Sequence, residues 1–205
     1  MCAALSTLID RIDASLPQTQ CTRCGYPRCR DYAEAVADGR ADINRCPPGG
    51  DVTLQALSQL LGVAIKALDP ECGTHAPRLR AVIDEALCIG CRKCLDVCPV
   101  DAIVGAPKLM HTVIAKECNG CGLCVPPCPV DCIPMLPVTV TAGTIWPEYL
   151  TEEVLRWRRR TQQRLARLER HTKPATERKD KQERMRDEIR AAVERVRRRR
   201  GRAVE

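Results

Sequence analysis

Cys88-Ile-Gly-Cys91-Arg-Lys-Cys94-Leu-Asp-Val-Cys98-Pro-Val-Asp-Ala-Ile103 returns thirty residues later as Cys118-Asn-Gly-Cys121-Gly-Leu-Cys124-Val-Pro-Pro-Cys128-Pro-Val-Asp-Cys-Ile133. Both copies follow C-x2-C-x2-C-x3-C and are closed by a proline, Pro99 and Pro129. Each proline fixes φ and ends the local turn. Four thiols so close together point to a polynuclear metal core. One tight turn presents only three of them to a single centre, so the fourth ligand has to come from elsewhere in the fold.

The run is the bacterial-ferredoxin spacing for [4Fe–4S] clusters, in which the last cysteine of each run serves the other cluster. One cluster is thereby assigned Cys88, Cys91, Cys94 and Cys128, and the second Cys118, Cys121, Cys124 and Cys98. Structural zinc takes two separated C-x2-C knuckles. Disulfides need an oxidising compartment, and the opening Met-Cys-Ala-Ala-Leu-Ser has no basic or signal-type apolar stretch. Both alternatives fit the pattern poorly. Gly90 and Gly120 occupy the same place in the two runs. A missing side chain there is expected to let backbone N–H groups approach the inorganic core.

A third set, Cys21, Cys24, Cys29 and Cys46, is spaced C-x2-C-x4-C-x16-C. A short helix over 31–39, stopped by Gly39, returns the chain to Cys46. This spacing admits a cubane or a zinc ion, and the neighbouring repeat favours the cubane. Tyr26 and Tyr32 are expected beside this centre, excluding water. Cys132 aligns with Ala102 in the repeat and reads as a small buried residue rather than a spare ligand. Cys2 and Cys72 read as free thiols. His75 and His111 have no ligand partner at suitable spacing and read as surface or core histidines.

Composition agrees with a fold built around metal. The 205 residues hold 15 cysteines but no Phe, three Tyr and two Trp, too few rings for a large aromatic core. The clusters are expected to act as the cores of small modules. So many thiols without a secretory signal point to a reducing cytoplasm. No run of 18 apolar residues exists, so no membrane span is expected. Residues 1–150 hold 13 Lys/Arg against 16 Asp/Glu, whereas 151–205 hold 20 against 10. A mildly acidic redox part is thus followed by a basic tail.

Apolar periodicity predicts helices over 3–16, 51–68, 151–171 and 176–199. Short strands are expected over 81–84, 103–104, 112–115 and 133–136. The fold class is α+β. A one-cluster module spans 1–68, a linker 69–80, a two-cluster ferredoxin domain 81–137, and a loop with a basic helical tail 138–205. The tail's apolar stripes are thin, and it reads as a solvated helical hairpin or a dock for an acidic partner or an anionic membrane surface. Nucleic acid ranks last, because no binding motif or aromatic platform accompanies the charge.

Cys21-Thr-Arg-Cys24-Gly-Tyr-Pro-Arg-Cys29 and Asn44-Arg-Cys46-Pro-Pro-Gly-Gly50 resemble the iron–sulfur module of the B subunit of Rnf/Rsx electron-transport complexes. Val100-Asp-Ala-Ile-Val-Gly-Ala-Pro-Lys-Leu-Met-His-Thr-Val-Ile114 resembles that family's ferredoxin domain. The resemblance covers roughly residues 5–137. It implies a bacterial electron carrier with three [4Fe–4S] clusters, the first held by Cys21, Cys24, Cys29 and Cys46. It also implies work at the cytoplasmic face of the inner membrane, between soluble redox proteins and flavin-bearing membrane subunits, with ion movement coupled. Members usually begin with a transmembrane helix that has no counterpart in these residues, so a carrier without that anchor is expected. The reading is an electron-carrier subunit rather than a catalyst on its own. A free-standing polyferredoxin serving a cytoplasmic oxidoreductase and a nucleic-acid-associated iron–sulfur protein are the alternatives.

Overall fold

Three helices form the first layer of the computed structural model, which describes residues 7–139, 145–172, 183–191 and 193–194. Helix α1 (Leu8–Ala14) starts at a capping box: Thr7 accepts from the Asp10 N–H, and the Asp10 carboxylate accepts from the Thr7 N–H. The start of the helix expected over 3–16 lies outside the described residues. Helix α2 (Cys29–Ala37) begins on a cysteine of the third set, two residues earlier than expected. Helix α3 (Gly50–Leu61) stops at Gly62, which takes φ 68° and donates its N–H to Ser58 O. The sequence predicts this helix to run on to residue 68. Instead Val63 and Ile65 leave it and stay exposed, because a left-handed C-cap outweighs the apolar periodicity beyond it. Ile12, Leu16, Tyr32, Val36, Leu54 and Leu57 close the core between the three helices.

The cysteine repeat folds as two short ribbons. Strand β1 (Leu79–Ala81) pairs antiparallel with the last strand, β4 (Met135–Pro137). Strands β2 (Ile103–Val104) and β3 (Thr112–Val113) pair across the middle. The five-residue helix α4 (Lys93–Val97) carries Cys94. First-to-last pairing closes the repeat on itself and brings the two runs face to face.

Helix α5 (Thr151–Thr172) departs from the solvated tail that its thin stripe suggests. Its first half belongs to a compact unit comprising residues 1–164. Trp157 is fully buried, and Trp146, Tyr149 and Val154 join it in the core with Ile83, Val100 and Ile133. Both tryptophans therefore sit at one place, where they supply much of the apolar area that composition appeared to deny. The buried Arg78 pairs with Glu153 at 2.6 Å, and its guanidinium stacks 4.9 Å from the Trp157 ring. Arg160 donates to Val100 O at 2.6 Å, and Arg164 binds the Asp101 carboxylate at 2.6 Å. Arg158 reaches Asp13 at 2.5 Å, tying α5 to α1.

Residues 165–205 form the second unit. Within it α5 completes its last turns and residues 183–191 are helical, with Met185 and Ile189 exposed. Residues 193–194 are helical too, and the rest of the helix expected over 176–199, with the basic Arg197–Arg200 end, lies outside the described residues.

Candidate metal centres

Cys21, Cys24, Cys29 and Cys46 line one pocket, with Leu16, Tyr26 and Tyr32 among its walls. The loop that carries Cys21 and Cys24 turns through left-handed Thr22 and Gly25, and the Gly25 N–H donates to Thr22 O at 2.9 Å. Cys29 opens α2, and its N–H donates to Gln20 Oε1 at 2.9 Å. Gln20 is held in turn by Gln18, and Gln18 by Asp13, through side-chain bonds of 2.9 Å each. This buried Asp13–Gln18–Gln20 relay fixes the third thiol. Cysteine spacing gives no hint of it. The Tyr32 hydroxyl donates to Asp42 O at 2.8 Å and accepts from the Arg45 N–H, which aligns the strap leading to Cys46. Burial raises the Cys24, Cys29 and Cys46 thiols above their ordinary range. Cys72, read from the sequence as a free thiol, is buried close enough for its charge to act on Cys24 and Cys46.

Cys88, Cys91 and Cys94 share a second pocket with Cys128 from the other half of the repeat. Cys94 is pushed up to about 11 by burial. His111 is almost wholly enclosed in the same wall. Its backbone N–H donates to Cys88 Sγ at 3.3 Å, and its Nδ1 lies 3.5 Å from Cys94 Sγ. Position in the sequence alone does not connect it with the cysteines, because a strand turn delivers it from 17 residues away. Exposed Ile89 lines the same pocket, and Cys91 is itself exposed.

Cys118, Cys121 and Cys124 gather with Cys98. Burial raises Cys121, and the charges of Cys98, Cys124 and Cys118 raise it further. Cys124 is pushed up to about 12 by burial and then by Cys118 and Cys98. Cys98 Sγ accepts the Ala102 N–H at 3.2 Å. Gly90 and Gly120 both have positive φ, and each makes room for neighbouring protein backbone. A Cβ on Gly90 would stand 2.6 Å from the Leu109 backbone, and one on Gly120 would collide with Leu79 O.

These donor sets fit polynuclear iron–sulfur centres. The fourteen described cysteines are all free thiols. Among the described residues no three His, Cys, Asp or Glu side chains converge tightly enough for a single metal ion. The sulfurs instead surround open space and receive backbone N–H groups, the donors that tune such clusters. Thiols raised by burial must surrender their protons when iron binds. No helix among the described residues is long and apolar enough to cross a membrane.

Residues 81–135 match the family model described as "4Fe-4S dicluster domain", and residues 16–48 match one described as "Putative Fe-S cluster". The chain is 59% identical over 99 residues to the B subunit of the ion-translocating oxidoreductase complex of Azoarcus sp. (strain BH72), covering 48% of this chain and 54% of the relative. The corresponding B subunit of Thiobacillus denitrificans is 60% identical over 99 residues, covering 48% and 53%. The chain thus spans about half the length of these two relatives. It is 54% identical over 141 residues to the B subunit of Yersinia pestis bv. Antiqua (strain Antiqua), covering 68% of this chain and 75% of the relative. Two iron–sulfur domains in this order, and 54% identity over three quarters of that relative, place the chain in the B-subunit family of Rnf-type ion-translocating oxidoreductase complexes.

Proposed function

We propose that the chain relays single electrons through three [4Fe–4S] clusters, between soluble redox proteins and flavin-bearing subunits of an Rnf-type complex at the cytoplasmic face of the inner membrane. The carrying observation is that twelve cysteines gather as three groups of four within one compact unit, two of the groups exchanging their fourth member across the repeat. Cys21, Cys24, Cys29 and Cys46 hold the first cluster. Cys88, Cys91, Cys94 and Cys128 hold the second, and Cys118, Cys121, Cys124 and Cys98 the third. When bound, the clusters supply the one-electron chemistry. The protein contributes spacing, burial and N–H groups aimed at sulfur.

The seam between the modules supports an order for the relay. Cys21 shares a cavity with Asn119 and Gly120, and Asn119 donates to Thr19 O at 2.6 Å. The first centre thus borders the third. The third borders the second, because the Cys94 charge acts on Cys124. Electrons pass first–third–second, or the reverse, and the second centre meets solvent at Cys91.

Anaerobic purification with iron and sulfide analysis tests the count. About twelve iron and twelve sulfide per chain are expected for three cubanes. Cys24→Ser should remove about four of each and leave the EPR spectrum of the reduced repeat intact. A fully loaded protein with about eight iron overturns the first assignment. Co-purification with membrane flavoproteins tests the partner.

A further inference from the structure

A fifth sulfur lines the cavity bounded by Cys88, Cys91, Cys94 and Cys128, that of Cys132. Its Sγ lies 3.6 Å from Cys128 Sγ, and its thiol also reaches Cys88. Cys132 is 3% exposed, so nothing in solvent competes for it. The repeat supplies an internal comparison. Ala102 holds the matching position, and its N–H donates to Cys98 Sγ at 3.2 Å. The Cys132 N–H is bonded to Cys128 in the same way. Asp101 and Asp131, just before them, take the same left-handed turn, with φ 51° and 48°. The two halves share a backbone and differ in a side chain. A methyl group fills the space beside one centre, and a thiol stands beside the other.

We propose that Cys132 is an alternative fourth ligand for the second centre, able to replace Cys128 on the iron that Cys128 binds. The proposal rests on the cluster assignment above. In the exchange the iron–sulfur bond to Cys128 breaks and one to Cys132 forms. The Cys132 proton passes to the departing Cys128 sulfur across the 3.6 Å contact, and no electron is gained or lost. The first three ligands keep their places. This centre therefore survives loss of its fourth cysteine. The third centre, with Ala102 at the matching position, does not.

The test compares the full chain with Cys128→Ala, Cys132→Ala, the double variant and Cys98→Ala, each reconstituted anaerobically. Cys132→Ala should keep the parental iron count. Cys128→Ala should also keep it, with a shifted EPR signal. The double variant should lose about four iron, and Cys98→Ala about four with no rescue. The proposal is overturned if Cys128→Ala loses as much iron as the double variant. It is equally overturned if the double variant keeps what Cys128→Ala keeps, or if Cys98→Ala keeps its iron. In the Cys128 and Cys132 variants the signal of the Cys118 centre reports folding. Should Cys128→Ala lose that signal, Cys128→Val, which fills the space and offers no ligand atom, is read by the same criteria. Failure of the underlying assignment looks different: the parent chain then holds fewer than about twelve iron.

Discussion

At the scale of single residues, cysteine was legible and its supports were not. A ligand set announces itself by spacing, because a tight turn can present thiols at only a few intervals. Gln20 has no such signature. It is a polar residue in a loop, and only the folded chain turns its amide oxygen toward the Cys29 N–H. The strained backbone around it, with φ 56° at Gln18 and 54° at Gln20, gives both residues a defined task despite their unremarkable sequence. Replacing Gln20 by Ala leaves the Cys29 N–H without its acceptor and costs about 1–3 kcal/mol. The expected outcome is a lower thermal midpoint and partial loss of iron from the first centre, with the reduced spectrum of the repeat unchanged. Equal iron loss from all centres would contradict this local role. His111 escapes sequence reading for a related reason. Sequence distance hides it from Cys88 and Cys94, and the β2–β3 ribbon removes that distance.

Among the elements, α5 shows most clearly where pattern reading stops. Its apolar stripe is thin, and its charge reads as a solvated surface. Yet one fully buried ring, Trp157, carries more area than several aliphatic positions. Several of its charged residues are committed to the core: Glu153 pairs with Arg78, which precedes β1, and Arg160 and Arg164 grip the loop after Cys98. Counting charges along a chain cannot tell a paired arginine from a free one. Truncation after Leu150 should therefore destabilise the redox unit and release iron, contrary to the behaviour of a detachable tail. The loss of Trp157 alone is worth about 3–5 kcal/mol. Truncation after Arg164 should leave iron content and the EPR spectrum as they are in the full chain. Iron analysis and thermal melts of the two truncations decide the matter. Helix α3 makes the opposite point: its early stop is written in the sequence as Gly62, and that left-handed cap prevails over the apolar residues beyond it.

For the molecule as a whole, the α+β class and the pairing of the runs followed from the repeat. The way its parts are bolted together did not. His75 is one bolt. It sits between Pro47 O at 2.9 Å and the Glu148 carboxylate at 3.0 Å, joining the strap after Cys46 to the segment before α5. Burial works against its charge, but the Pro47 carbonyl and Glu148, with Asp51 nearby, outweigh it and hold its pKa above the ordinary 6.5. A raised pKa in the folded state means that this contribution is complete below about pH 6.5. It fades as pH rises through the folded-state value. The thermal midpoint should therefore fall further between pH 6 and pH 8 in the parent chain than in His75→Gln. Identical pH profiles would show that the contact is not charged. Chain order adds a consequence of the α5 packing. Translation runs from the first cysteine to the last before the arginine-bearing helix leaves the ribosome. Every thiol is thus exposed on the nascent chain before Trp157 and its neighbours can seal the repeat. Iron delivery and closure become successive steps of biosynthesis, and a chain released before residue 151 is one that was offered its metal without the means to keep it.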